Sequence, residues 1–215
     1  MSAHLPDIAG QLAHGLLLTL ALTALVFVGA VVAGVVVAVL RICPVAPLRS
    51  FGAAYVALFR NVPLLVLLVL FVFGLPDLGL LYPLFATAAT AMALYWAAFV
   101  CEVVRSGVRA VPRGQVEAAR ALGLGFGACL RFVILPQAIR PMVQPLGSLF
   151  VGCALSTSLA AAVGVAELTG QAEFVTLRYD QPLTTFAITT VVYVAITLSA
   201  GLVTGRIERK LAVSR

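Results

Sequence analysis

Residues 8–40 read IAGQLAHGLLLTLALTALVFVGAVVAGVVVAVL and contain no Asp, Glu, Lys or Arg. A helix needs about 20 predominantly apolar residues to cross the hydrocarbon core of a bilayer. This stretch is longer than that minimum, and it therefore predicts a membrane-spanning helix near the start of the chain.

Four further runs without charged residues follow, at residues 61–76, 78–101, 141–166 and 181–205. Three of them are long enough to span. The run at 61–76 is short, and it spans if Arg60 extends toward the headgroups on one side while Asp77 lies in the opposite interface. Residues 48–59, just before it, are expected to form an apolar elbow along the cytoplasmic interface. The sequence thus predicts an all-α polytopic membrane protein with about five transmembrane helices.

Composition supports a membrane protein over a soluble one. Hydrophobic residues make up 62% of the chain and charged residues only 10%, whereas soluble domains carry about 25% charged residues. The net charge of +6 does not indicate nucleic-acid binding, because the basic residues form short clusters between apolar runs. The four cysteines show no metal-binding spacing. Lipid is therefore an expected partner, and neither nucleic acid nor a metal is.

The basic residues also predict the orientation of the chain. With five spans and a cytoplasmic C-terminus, 13 of the 14 Lys and Arg residues fall on the cytoplasmic side, and only Arg178 falls outside. Five of the eight acidic residues fall outside, among them those of the stretch 167–180. Because cytoplasmic segments of membrane proteins are enriched in Lys and Arg, we expect the N-terminus outside and the C-terminus in the cytoplasm.

Small and polar residues recur every four positions in three spans. The first span has Ala30, Gly34 and Ala38, and the fourth has Ser148, Gly152, Ser156, Ala160 and Gly164. Such stripes let helix backbones approach closely, either within this chain or against a partner subunit. The fifth span has Thr185, Thr189, Tyr193 and Thr197. Its hydroxyls either line a polar path or bond to their own helix backbone.

The segment at residues 105–140, between the third and fourth spans, is predicted to be a structured cytoplasmic projection. Residues 114–122 favour a short helix, and Gly123 is placed to close it in a left-handed conformation. A second short helix is expected over residues 126–134, ending before Pro136. Glu117 either braces the first helix through Arg120 or is a solvated charge. Long loops with structure of their own are usually functional.

The same segment resembles the EAA loop of ABC-importer permeases. The resemblance rests on Glu117-Ala118-Ala119, on Gly123 and on Val133-Ile134-Leu135-Pro136, where the family usually has Ile in place of Val133. It implies that the loop docks on a cytoplasmic ATPase subunit and transmits its closure. The residues to which this coupling role is assigned are Gly114, Gln115, Glu117, Ala118, Ala119, Gly123, Leu135 and Pro136.

Other segments are similar to polar amino-acid permeases of the histidine, glutamine and glutamate type. They are Arg60-Asn61-Val62-Pro63, Glu102 with Arg105 and Gly107, Thr157-Ser158-Leu159, and Gly164-Val165-Ala166-Glu167-Leu168. The resemblance covers nearly the whole chain and implies a type I importer fold in one transmembrane domain, residues 1–215. Polar family residues are replaced by Val62, Leu67 and Leu155, which implies either a different substrate or the less substrate-engaged half of a heterodimer.

Two groups of residues are candidates for a substrate path: Arg60, Asn61 and Glu102 near one membrane face, and Ser156, Thr157 and Ser158 near the bilayer middle. Acidic residues in or beside a membrane span are functional candidates, although Glu102 and Arg105 also suit a structural pair at the end of a span. The hydroxyls of residues 156–158 suit helix packing equally well. The outer stretch 167–180 either meets a binding protein through its charges or is a solvated loop.

No catalytic, metal-binding or phosphate-loop motif is present in the sequence, so we expect a transport subunit and not an enzyme. We expect no cofactor on this chain, with ATP and Mg²⁺ on a partner subunit. The resemblance implies four partners: a dimer of ATPase subunits, a second permease subunit, an extracytoplasmic amino-acid-binding protein, and the lipid of the inner membrane. A scaffold that recruits a soluble partner, or an ion-coupled carrier acting alone, are the alternatives.

Overall fold

The computed structural model describes residues 5–212, and this part of the chain is helical almost throughout. Eight helices follow in order: α1 (Leu5–Ile42), α2 (Ala46–Asn61), α3 (Leu64–Asp77), α4 (Leu84–Arg109), α5 (Arg113–Ala121), α6 (from Phe126 to Val163), α7 (Leu168–Tyr179) and α8 (Pro182–Ala212). The all-helical prediction is confirmed.

Four helices, α1, α4, α6 and α8, are each long and apolar enough to cross a membrane. The candidate for a fifth span is the segment α2–α3, whose two helices meet at an angle of 104°. The bend falls at Val62 and Pro63, both of which have extended backbones. Proline disfavours a helical conformation in the residue before it, so the helix must break there. The predicted elbow is thus α2, which is turned sharply away from α3.

Helix α6 corrects one prediction, because no separate helix ends before Pro136. The chain instead runs through a π-helical turn at Leu130–Ile134 directly into the helix Leu135–Ser156. In that turn the Leu135 N–H donates to the Leu130 carbonyl, five residues earlier. Pro136 therefore occupies the first turn of a new α-helical register, where its missing N–H is tolerated. A second π turn, Leu70–Gly74, precedes Pro76 in α3 in the same way.

The small-residue stripes face helices of the same chain. On α1, Ala30 and Ala38 are fully buried, and a methyl group at Gly34 would lie 2.7 Å from the Val100 Cβ of α4. On α6, a methyl group at Gly152 would lie 2.7 Å from the Trp96 ring of α4. Helix α4 is therefore the central helix, against which α1 and α6 both pack closely.

Residues 167–180 do not form a solvated loop. It forms α7, whose Leu168, Ala172 and Val175 pack with Ile8 and Leu12 of α1 in one buried cluster. The contact is close, since a methyl group at Gly15 would lie 2.9 Å from the Leu168 Cα. The charged residues of this stretch favoured a loop, although its apolar residues are spaced as on one face of a helix.

Helix α8 is the least buried of the spans, with only 6% of its most apolar stretch buried. Thr189 donates to the Thr185 carbonyl and Thr197 to the Val194 carbonyl. These threonines therefore bond to their own helix, as one of the two sequence interpretations expected, and Tyr193 is the member of the stripe that reaches another element.

Candidate coupling segment and substrate path

The coupling segment is the short helix α5 with the turn that follows it. Pro112, in an extended conformation, precedes Arg113 at its start. At its end Gly123 has φ +79°, its N–H donates to the Arg120 carbonyl at 2.9 Å, and the Leu124 N–H reaches the Ala119 carbonyl at 3.1 Å. A bond across six residues closed by a left-handed glycine is the Schellman termination. The predicted helix and its glycine cap are confirmed.

The structure divides the EAA residues between two faces of α5. Ala119 is buried, whereas Glu117 and Ala118 are exposed, as are Gly114 and Gln115. Glu117 is exposed and forms no ion pair with Arg120 among the residues described, which agrees with the interpretation of Glu117 as a solvated charge. Leu122 beyond the helix is 82% exposed. The segment thus presents both charged and apolar groups outward.

The base of the coupling segment is fixed to the spans. Val111, Ala138 and Met142 form a buried cluster where α4, α5 and α6 meet. A methyl group at Gly107 would overlap the Met142 side chain and lie 2.8 Å from the Ala138 carbonyl oxygen. Leu135 and Pro136 are exposed beside this junction, just after the π turn. A displacement of α5 therefore acts on α4 and α6 together.

Glu102 of α4 is the centre of an ion-pair cluster. Its carboxylate is paired with Arg41 of α1, with Arg105 at 2.9 Å and with Arg60 of α2 at 3.8 Å. The pair with Arg105 was expected from the sequence. The contacts with Arg41 and Arg60 join helices that are distant in sequence, and spacing along one helix could not reveal them. Asn61 lies beside this cluster, but its amide donates to the Ala57 carbonyl at 2.7 Å.

The three hydroxyls at residues 156–158 lie where α6 changes from α-helical to 3₁₀ geometry. Ser156 donates to the Cys153 carbonyl and accepts a hydrogen bond from the Trp96 indole at 3.1 Å. Thr157 is fully buried, and Ser156 and Ser158 are half-buried. All three donate to a carbonyl three residues earlier, and the Ser156 oxygen already accepts one hydrogen bond, from Trp96.

The two candidate groups are connected along α4. Trp96 bonds to Ser156 and lies 5.4 Å from the Phe99 ring, and the Arg60 guanidinium lies 5.5 Å from that ring. Trp96, Phe99 and Glu102 follow at three-residue spacing and share a face of the helix. At 1.5 Å per residue they extend over about 9 Å of its length.

Glu167 is the polar residue whose position the sequence did not indicate. It was expected in an outer loop, but it is 0% exposed. One carboxylate oxygen accepts from the N–H groups of Thr169 and Gly170 at the start of α7, and the other accepts from the hydroxyls of Thr19 and Tyr193. A capping acid followed by an apolar run was the available signal. The Glu167 side chain therefore joins α1, α7 and α8.

Comparison with known proteins gives concordant results. The sequence model of the binding-protein-dependent transport system inner membrane component family matches residues 30–213. The chain is 34% identical to the probable glutamine ABC transporter permease protein GlnM of Bacillus subtilis, over 91% of each chain. It is also 34% identical to the glutamate transport system permease protein GluC of Corynebacterium glutamicum, over the full length of both.

A solved structure agrees with the fold. The crystal structure of an amino acid ABC transporter with histidines superposes with a TM-score of 0.89, at 31% identity and over 95% of each chain.

Proposed function

The chain belongs to the family of binding-protein-dependent transport system inner membrane components, and we propose from this premise that it is the membrane-spanning subunit of an ATP-driven importer for a polar amino acid. The observation that carries the proposal is the compact coupling segment, with α5 closed by Gly123 and seated on α4 and α6. Relatives named for glutamine and glutamate transport support a substrate of that type.

In this proposal the exposed side of α5 docks on a cytoplasmic ATPase subunit. Glu117 supplies a charge without an internal partner, and Leu122 supplies an exposed apolar contact. Gly114, Gln115, Ala118, Leu135 and Pro136 complete the surface, while Ala119 faces inward. Because ATP is bound and hydrolysed on that partner, with Mg²⁺, this subunit contributes movement and not catalysis.

The substrate path is assigned to the hydroxyls of Ser156, Thr157 and Ser158. The half-buried Ser156 and Ser158 keep acceptor capacity on their hydroxyl oxygens, which suits the ammonium group of an amino acid, whereas the fully buried Thr157 is reached only after a change in helix packing. Arg60, Asn61 and Glu102 stay a prediction for the inner end of the path; Glu102 lies about 9 Å along α4 from Trp96, the residue that bonds to Ser156.

A second permease subunit, identical or homologous, completes the path in this proposal. The support for it is α8, which leaves most of its apolar surface without contacts inside the chain. We place the assembly in the inner membrane with the N-terminus outside, where a binding protein delivers the amino acid. Two alternating packings, one favoured by substrate and one by nucleotide, then give transport.

The coupling role is tested by Gly123→Ala in vesicles containing the complete importer. A methyl group at Gly123 meets no atom within 4 Å, so the substitution acts only through its backbone, which has φ +79°. An alanine there costs roughly 1 kcal/mol in the left-handed conformation and loosens the end of α5. We expect a severalfold drop in substrate taken up per ATP hydrolysed, with the chain still folded.

Gly125→Ala is the matched control, because Gly125 lies two residues away, also in open space, without a positive φ. It should leave the ratio of uptake to hydrolysis unchanged. Equal ratios for Gly123→Ala and the unmodified chain would refute the coupling role of the segment. Absence of ATP-dependent uptake with the unmodified chain, for any polar amino acid, would refute the importer itself.

A further inference from the structure

The cluster around Glu102 carries more positive than negative charge. Three guanidinium groups, those of Arg41, Arg60 and Arg105, surround one carboxylate, which leaves a surplus of two positive charges. Since the charges are close to one another in a partly buried site, this surplus is screened less by salt than it would be on an open surface.

Arg60 is the arginine of this cluster whose N–H groups donate no hydrogen bond to a described residue. Arg41 and Arg105 each donate hydrogen bonds to a Glu102 oxygen, whereas Arg60 approaches no closer than 3.8 Å. The Arg60 side chain is 47% exposed and forms no hydrogen bond with another described residue. A guanidinium has five N–H donors in a planar fork that matches the oxygens of a phosphate.

A cavity of about 380 Å³ opens onto this arginine. Arg41, Arg60 and Glu102 form its charged side, and Ala53, Val56 and Ala57 of α2 form its apolar side. The small alanines keep the apolar wall shallow. A ligand that fits this cavity therefore has an anionic end and an apolar end.

The position of α2 indicates where that ligand comes from. The helix turns 104° away from the span α3, and it exposes Phe51 and Leu58. An amphipathic helix at such an angle to a span lies at the membrane surface, with apolar side chains in the acyl region. The cavity is then at the depth of the headgroups.

We propose that this cavity binds the phosphate group of an anionic phospholipid, with Arg60 and Arg41 at the phosphate and the alanine wall against the glycerol and upper acyl chain. Basic pockets between transmembrane helices take lipid headgroups by this chemistry. The bound lipid would hold α2 against α1 and α4, and it would offset the surplus charge of the cluster.

The test is native mass spectrometry of the purified full chain after exchange into phosphatidylglycerol or phosphatidylcholine at equal concentration. We expect retained phosphatidylglycerol, little retained phosphatidylcholine, and a loss of at least fivefold in bound phosphatidylglycerol for Arg60→Gln. Arg49→Gln is the control, since Arg49 is an exposed arginine on the same helix that does not line the cavity. It should change binding by less than twofold.

A second variant, Ala57→Leu, fills the apolar side without changing any charge, and it should also reduce bound phosphatidylglycerol. Arg60→Gln removes the contacts of Arg60 with Glu102 and the Phe99 ring but leaves Glu102 paired with Arg41 and Arg105, so the variant should stay folded without lipid and still unfold cooperatively on heating. Equal losses for Arg60→Gln and Arg49→Gln would overturn the site, and so would displacement of the lipid by inorganic phosphate at millimolar concentration. Displacement by glutamate or glutamine would assign the cavity to the transport path instead.

Discussion

At the scale of the residue, Glu167 shows how a single carboxylate can organise the region where α1, α7 and α8 meet. It is fully buried, and no Lys or Arg among the described residues forms an ion pair with it. Four neutral donors take the place of a counterion: two backbone N–H groups of α7 and the hydroxyls of Thr19 and Tyr193. A buried charge is tolerated only when its oxygens are satisfied in this way.

We predict that Glu167→Ala destabilises the chain strongly. The substitution removes the cap of α7 and leaves buried hydroxyls without their acceptor, and each unsatisfied group costs about 1–3 kcal/mol. The total loss should reach about 3 kcal/mol, measured as a lower thermal unfolding temperature in detergent. Glu167→Gln should lose only about 1 kcal/mol, because its oxygen can still accept from the two N–H groups.

Glu173 provides the comparison for this prediction, since it is an exposed glutamate on the same helix. Glu173→Ala should leave the unfolding temperature within about a degree, in keeping with the small effect of surface substitutions. If Glu167→Ala were as harmless as Glu173→Ala, the four hydrogen bonds would not be holding α1, α7 and α8 together.

At the scale of the element, close approach of helix backbones decides the packing. Helices α1 and α4 meet where Gly34 faces Val100 and the Ala97 carbonyl. Lipid offers no hydrophobic contrast between helices, so van der Waals contact at small residues supplies the association.

Gly34→Ala is therefore expected to destabilise the pair of helices. The added methyl group would lie 2.7 Å from the Val100 Cβ and 2.8 Å from the Ala97 carbonyl oxygen, and the helices must separate to admit it. Overpacking of this kind costs about 1–3 kcal/mol, which should appear as a lower thermal unfolding temperature in detergent.

Gly10→Ala is the control for this prediction, because it changes helix propensity in the same helix without adding a packing contact. A methyl group at Gly10 meets nothing within 4 Å, so the change should be neutral or stabilising by up to about 1 kcal/mol. A Gly34→Ala variant at least as stable as Gly10→Ala would contradict the proposed close contact.

Apolar run length and turn residues predicted most of the helices, and these are the strongest local signals in a membrane sequence. They predicted α5 and its Gly123 cap as well, because both depend on short-range geometry. They failed at Pro136, where a π turn lets the chain continue as helix, and at residues 167–180, where charges on one face hid the apolar face of α7. The pairing of Glu102 with Arg41 and Arg60 depends on tertiary structure and left no local pattern.

At the scale of the whole molecule, orientation remains a prediction from the charge distribution. Leu177 of α7 is 88% exposed and is predicted to lie outside, whereas Leu122 of the coupling segment is predicted to lie in the cytoplasm. These two positions place exposed side chains on opposite predicted sides of the membrane.

In a chain whose four cysteines have been replaced, Leu177→Cys should react with a membrane-impermeant maleimide in intact cells. Leu122→Cys should react only after the membrane is permeabilised. Each variant serves as the control for the other, because both side chains are exposed and apolar. Labelling of Leu122→Cys alone in intact cells would reverse the orientation and exclude the proposed side of the ATPase.

Helix α6 is continuous, so a tilt of the helix moves both of its ends. One helix of 37 residues joins the turn after α5 to the hydroxyls at Ser156 and Thr157, through Pro136, Pro141 and Pro145. At 1.5 Å per residue it measures about 55 Å, so a tilt of about 5° around its middle moves the end near α5 by about 2.4 Å and Ser156, about 17 Å from the middle, by about 1.4 Å. A displacement of about 1.4 Å is enough to break the 3.1 Å hydrogen bond between Trp96 and Ser156. In the proposed mechanism, a movement of α5 would therefore make or break a contact at Ser156.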